Sequence, residues 1–212
     1  MCILKFIAEC GLNHNGNHDL TYELIRQAAH SGADIAKFQL GWRDKKNEMN
    51  NIQPDRIDLI INHCKYMDIE PLFSIINDNA FDMIEPFNLK CIKIASRTVL
   101  ENPKLVEKIL SAGYKTIISL GMWDKKELPF GKSDQIEYLW CVSKYPCLPS
   151  DLIGFPDTFR DGPYSGYSDH TLGIEAALLA ISRGATIVEK HFSLDKSDTT
   201  IRDLSLIHIS EP

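Results

Sequence analysis

Short apolar runs rich in β-branched residues recur along the whole chain: ILKFIAE, DIAKFQL, EPLFSII, CIKIAS, KTIISL, QIEYLWCV, YSGYS and TIVEKHF, starting near residues 3, 34, 70, 91, 115, 135, 164 and 185. Runs of this length and type predict eight strands. Between most of them the apolar spacing becomes helical. Residues 19–30 carry Leu20, Leu24, Ile25 and Ala28 and stop at Ser31-Gly32; residues 54–67 repeat the theme with Ile57, Leu59, Ile60, Ile61 and Cys64. Residues 102–112 open with Asn102-Pro103, a cap and a first-turn proline, and close at Gly113, while residues 172–182 close at Arg183-Gly184. Such alternation predicts parallel pairing with right-handed crossovers. Eight units predict an α/β fold closed as a (β/α)8 TIM barrel. Two segments depart from the pattern: residues 124–131 leave room only for a short helix before Pro129, and residues 147–161 read mostly as loop. No outer helix follows the eighth strand, so the barrel is expected over residues 1–203 without its final helix.

Composition narrows the possibilities. With 212 residues, 44% apolar and 25% charged, the chain has ordinary globular usage, which excludes disorder and coiled coils. Lys and Arg number 23 against 29 Asp and Glu, a net charge of −6 with no basic stripe, so a nucleic-acid partner is not expected. No run approaches the roughly 20 apolar residues of a membrane span. The first residues enter strand-like sequence without a basic leader, which points to a cytoplasmic protein with no membrane partner. The six cysteines are scattered without a CxxC pair, so they read as structural thiols rather than a disulfide or zinc framework. No GxGxxG or GxxxxGK[ST] sequence follows the first strand, which counts against a nucleotide fold.

In TIM barrels the reacting groups gather where the strands end. Those ends hold Glu9 to Asn15, Lys37 and Gln39, Lys93 and Ser96, Ser119, Ser143 and Tyr145, Ser168 to His170, and Glu189 to His191. Strand parity supplies an independent check, because alternate side chains face opposite sides. Lys37 shares a face with Gln39, Ser143 with Tyr145, and Glu189 with His191, so each pair can point into the mouth together. Lys190 has the opposite parity and should meet the helix layer. His14 lies in Asn13-His14-Asn15-Gly16, which is equally well read as a turn.

The ordered segments IAECGLNHNG, AKFQ, IKIAS, ISLGM, CVSKYP, GYSDHTLGIE and VEKHFSLDK resemble the N-acetylneuraminate (sialic acid) synthase family from about Phe6 to Asp203. GYSDHTLGIE with EKHF downstream is the most specific part. The resemblance implies a TIM barrel that condenses phosphoenolpyruvate with an N-acylated sugar aldehyde and releases phosphate, giving a nine-carbon 2-keto acid. It implies a divalent metal, Mn²⁺ first and Mg²⁺ second, held by His170 and His191. Lys37, Lys93, Ser96, Ser119, Ser143 and Ser168 would hold phosphoenolpyruvate; Gln39, Tyr145 and Asp203 would face the sugar. Glu9 would sit beside the metal-bound water as a catalytic residue with His170 and His191. The residue types suit the chemistry: a Lewis acid activates a weak aldehyde electrophile, and lysines with hydroxyls suit a trianion.

The sequence departs from the family at two places. Arg97 and Thr98 stand where many relatives have a small and then an acidic residue. After Asp203, where relatives continue into an eighth helix and an antifreeze-protein-like domain, residues 204–212 (LSLIHISEP) no longer resemble the family and read as foreign sequence. That domain is therefore expected to be absent, and the homodimer belongs to a full-length version. Two other readings stand beside this one. Lys93 could form a Schiff base in a metal-free aldolase or lyase, or the chain could be an inactive barrel fragment with an association role.

Overall fold

The computed structural model describes residues 4–42, 48, 50–145 and 147–194, together with the backbone of 207–208. Asp203 and the rest of the tail lie outside the described residues. Eight parallel strands form in the expected order: β1 (Lys5–Gly11), β2 (Ile35–Leu40), β3 (Glu70–Ile75), β4 (Cys91–Ile94), β5 (Lys115–Ser119), β6 (Ile136–Cys141), β7 (Gly166–Asp169) and β8 (Ile187–Ser193). Each pairs with the next, and β1 pairs with β8, which closes the barrel. Ile207–His208 adds a two-residue strand, β9, parallel to Phe192–Ser193 at the end of β8.

Outside the barrel lie α1 (His18–His30), α2 (Pro54–Tyr66), α3 (Asp78–Ile84), α4 (Ser96–Glu101), α5 (Pro103–Ser111) and α6 (Glu175–Ser182). The four helices expected from spacing match α1, α2, α5 and α6. Residues 124–131, expected to make a short helix, form only turns; Pro129 and Gly131 leave too few hydrogen-bonded residues to close a helix. Residues 147–161 are loop apart from a single 3-10 turn, Pro149–Asp151. α3 and α4 were not evident from spacing. Asn77 starts α3 by accepting from the Ala80 N–H at 2.9 Å, and Ala80, Phe81 and Ile84 bury its inner face. Asn102 leaves the helical conformation at φ −140° and then caps α5 through the Leu105 N–H at 3.2 Å, so one stretch becomes two helices.

The inside of the barrel is built in layers. Ile7, Ile35, Leu72, Ile117, Leu139 and Ile187, with Cys91 against them, form an apolar plug. At that level β7 contributes Gly166, paired with both Leu139 and Ile187. A Cβ there would run into the Ile187 carbonyl, so only glycine allows the two strands this approach. The larger apolar core lies between the barrel and its helices, around Phe38, Phe73, Phe81, Leu24, Ile57 and Ile109. Among the described residues no helix is long and apolar enough to cross a membrane.

Candidate active site

Two positions beyond the plug, every strand turns polar or soft. Glu9, Lys37, Ser74, Lys93, Ser119, Cys141, Ser168 and Glu189 come one from each strand, are all buried, and all line one cavity of about 560 Å³ at the carboxyl ends of the strands. The period of two residues explains this layer: the side chain after next along a strand returns to the same face. A further step of two brings Gln39, Ser143, His170 and His191 to the same cavity.

The floor is an ionic network. Lys37 Nζ lies 2.7 Å from Glu9 Oε2 and 3.3 Å from Glu189 Oε2, and Lys93 Nζ lies 3.9 Å from that same Glu189 oxygen. Lys93 also donates to Ser119 Oγ at 2.7 Å and to the Ile94 carbonyl at 3.1 Å. Gln39 donates to Glu9 Oε1 at 2.6 Å, and Ser168 donates to Glu189 Oε1 at 2.8 Å. Gly11, at φ +49°, makes room for the first of these contacts: a Cβ there would sit 3.0 Å from Glu9 Oε1. Ser96 Oγ accepts the Gly121 N–H at 2.8 Å and so ties the start of α4 to the end of β5.

Titration within the network follows from burial and charge. Burial would raise the Glu189 carboxyl, but Lys37, Lys93 and the Ser168 hydroxyl overcome it and hold it at about 2. Burial would lower Lys37, but Glu189 and Glu9 outweigh it and its pKa rises. For Lys93 burial wins, reinforced by the Lys37 charge and only partly opposed by Glu189, so its pKa falls.

At the rim the His170 and His191 rings lie 5.3 Å apart, centroid to centroid. His170 Nδ1 is 2.7 Å from the Val142 carbonyl, which can only accept; Nδ1 therefore carries its proton and Nε2 faces the mouth, 2.9 Å from the Tyr145 hydroxyl. Burial pulls the His170 pKa down, yet the Cys141 sulfur 3.6 Å from Nδ1 and the Val142 carbonyl push it up to about 9, so a cation binding at Nε2 would have to displace a proton from it. Tyr145 packs against both rings, at 4.3 Å from His170 and edge-on at 5.8 Å from His191. This donor set fits a divalent cation: two imidazoles face one opening, and one of them is oriented through its far nitrogen by a carbonyl. Among the described residues no group of three or more His, Cys, Asp or Glu forms a ligand set. A cation here would take its remaining ligands from water and substrate.

The cavity thus gathers Glu9, Lys37, Gln39, Lys93, Ser96, Ser119, Ser143, Tyr145, Ser168, His170 and His191. Asp203 lies outside the described residues. Lys190 faces away from the cavity, as parity requires, and is buried beside Asp169 at 2.9 Å. Three of the eight residues in the polar layer had been given no role: Glu189, Ser74 and Cys141. Parity was the signal available for all three, since each lies two positions beyond a plug residue. Arg97 reaches the cavity rim, with its guanidinium 5.9 Å from the Trp42 ring.

Comparison with known proteins agrees with this architecture. A family model described as the NeuB family matches residues 44–205. An N,N'-diacetyllegionaminic acid synthase of Campylobacter jejuni is 32% identical over 90% of this chain and 68% of its own length. An N-acetylneuraminate-9-phosphate synthase of Drosophila melanogaster is 28% identical over 90% of this chain and 60% of its own. The crystal structure of an N-acetylneuraminic acid (sialic acid) synthetase from Leptospira borgpetersenii, in complex with citrate, superposes with a TM-score of 0.82 at 26% identity, covering 96% of this chain and 76% of that one. The chain thus spans only part of each relative's length.

Proposed function

The chain belongs to the NeuB family, and from that premise we propose that its barrel condenses phosphoenolpyruvate with an N-acylated sugar aldehyde, yielding a nine-carbon 2-keto acid of the sialic-acid type and inorganic phosphate. One observation carries this reading above the rest. Each of the eight strands delivers one buried polar or soft side chain to a single layer, and two imidazoles stand over that layer. A purely structural barrel gains nothing from such a layer, because burying charge costs more than burying apolar groups of the same shape.

In the reaction, C3 of phosphoenolpyruvate attacks the aldehyde carbon, water adds at C2, and the tetrahedral intermediate expels phosphate by C–O cleavage. His170 and His191 would hold a divalent ion, which would supply Lewis-acid polarisation of the aldehyde. Lys37 and Lys93 meet the anionic substrate with charge-assisted hydrogen bonds, and Ser96, Ser119, Ser143 and Ser168 add hydroxyl contacts. Glu9, gripped by Gln39 and Lys37, is held in one orientation and directs the attacking water. Gln39 and Tyr145, nearer the rim, face the sugar. Mn²⁺ suits this oxygen-rich, two-imidazole site, with Mg²⁺ as the alternative.

The test is phosphate release from phosphoenolpyruvate in the presence of N-acetylmannosamine or a diacetamido relative, with and without Mn²⁺. Release that needs both supports the reading; no release with any N-acylated sugar, in this chain or one extended to its relatives' length, overturns it. The depressed pKa of Lys93 favours one rival, a Schiff-base lysine. Borohydride trapping of a keto acid on Lys93, insensitive to chelator, would select that rival.

A further inference from the structure

Outside the cavity, one buried ion pair has no part in the chemistry above. Asp169 and Lys190 are both essentially inaccessible to solvent and are register partners across β7 and β8, with Lys190 Nζ 2.9 Å from Asp169 Oδ2. Lys190 Nζ also donates to the Thr171 carbonyl at 2.7 Å. The other Asp169 oxygen, Oδ1, accepts from the Thr171 N–H at 2.8 Å, the Thr171 hydroxyl at 2.7 Å and the Tyr167 hydroxyl at 3.0 Å. Every polar atom of the pair is therefore engaged on the side of the sheet that meets α6.

The position of this pair is informative. Asp169 immediately precedes His170, and Lys190 immediately precedes His191. One rung below, on the cavity side, Ser168 is bonded to Glu189, also register partners. The two strands are thus pinned on both faces just before each releases an imidazole. Thr171, bonded on both sides by the pair, brackets His170 in the turn that leaves β7. A buried pair of this kind contributes little net stability compared with an apolar pair of similar volume, so its worth lies in geometry.

We propose that the Asp169–Lys190 pair, with Thr171, is a positioning clamp that sets the separation and orientation of the His170 and His191 rings. Neither residue touches substrate; both act through the histidines. The inference rests on the metal-site reading above for its purpose but not for its test.

The test uses the neutral double variant Asp169→Asn/Lys190→Met, which leaves the net charge near the site unchanged, so that any effect on a cation reads geometry rather than field. In metal-free protein, long-range 1H–15N spectra of the histidine rings report the Nδ1–H bond of His170 to Val142. The clamp predicts that this bonded signal is lost or averaged in the variant while far-UV circular dichroism stays unchanged. Mn²⁺ affinity, read from the free-ion electron paramagnetic resonance signal, should fall about 10- to 100-fold, the usual effect of losing an outer-shell partner. Should the double variant not fold, Thr171→Val removes only the hydroxyl anchor and should give the same ring changes in weaker form, with Thr171→Ser restoring the wild-type spectrum. Folded variants with unaltered ring spectra overturn the clamp. Wild-type protein that binds no Mn²⁺ would instead overturn the metal reading, and the ring spectra would still decide for or against the clamp.

Discussion

Two buried residues show how far single positions could be read from the sequence. Glu189 shares a strand face with His191, so parity alone puts it in the cavity. Its partners were not legible, because which lysine reaches it depends on the stagger of strands around a closed barrel. In the structure it serves Lys37 and Lys93 at once. Glu189→Gln keeps the shape and the Ser168 contact but leaves two buried ammonium groups short of a carboxylate. The expected loss is about 3–5 kcal/mol of stability, as for other broken buried pairs, measured by denaturant unfolding; a loss under 1 kcal/mol would show that Glu9 alone neutralises the floor. His14 is the second case, equally readable as a turn residue and given no catalytic role. It is buried, its Nδ1 accepts the Gly16 N–H at 3.1 Å, and its ring lies 6.5 Å from that of Phe38. Burial and the His18 charge lower its pKa from the ordinary 6.5 to about 4. Because the folded value lies below the unfolded one, the unfolded chain binds a proton that the folded chain refuses between those limits. Its stability contribution is therefore complete above pH 6.5 and declines as pH falls toward 4. By pH 5 the decline should reach about 2 kcal/mol, a fall in Tm of roughly 4–8 °C. His14→Asn retains an acceptor for Gly16 and should flatten that fall; parallel melting curves for the two proteins would exclude the linkage.

Among the elements, strands were far more legible than helices. A central parallel strand is buried on both faces, so its apolar run stands out whatever surrounds it. The helices that could be read, α1, α2, α5 and α6, have apolar faces long enough to establish a period. α3, with seven residues, and α4, with six, span too few turns to show one. Their existence depends on packing against the barrel rather than on propensity. The short helix expected over residues 124–131 failed for the complementary reason: helix-forming residues were present, but a proline and a glycine stood too close together. At β7 the decisive signal was a glycine whose reason could not be seen in sequence. Gly166→Ala would drive a methyl group into the Ile187 carbonyl and separate β7 from β8. It should cost well over 2 kcal/mol, at the high end for single substitutions, and should blunt amide protection in both strands by hydrogen exchange. A loss confined to a few tenths would mean that the strands can part there without consequence.

At the scale of the whole molecule, charge is arranged against the average. The chain carries −6 overall, which would repel the proposed trianionic substrate at long range, yet its polar layer holds two buried lysines. Attraction must then be local, arising where Lys37 and Lys93 sit buried at the floor of the cavity. Screening acts weakly on buried charges and strongly on exposed ones. This separates two ways in which phosphoenolpyruvate could associate with the protein. Held in the barrel, phosphoenolpyruvate at about 100 times its Kd should stabilise the fold by about 2.7 kcal/mol, a rise in Tm of roughly 5–11 °C. Most of that rise should survive as ionic strength goes from about 0.1 M to 1 M, where the Debye length shrinks from about 10 to 3 Å, provided that phosphoenolpyruvate is re-titrated at each salt to the same multiple of Kd. The Kd itself should weaken only modestly across that range. Loose association with surface lysines such as Lys125 or Lys132 would give no saturable rise in Tm and would vanish in the same salt. Differential scanning fluorimetry across both titrations tells these apart, and a salt-sensitive, unsaturable response would move the anion out of the barrel and take the proposed chemistry with it.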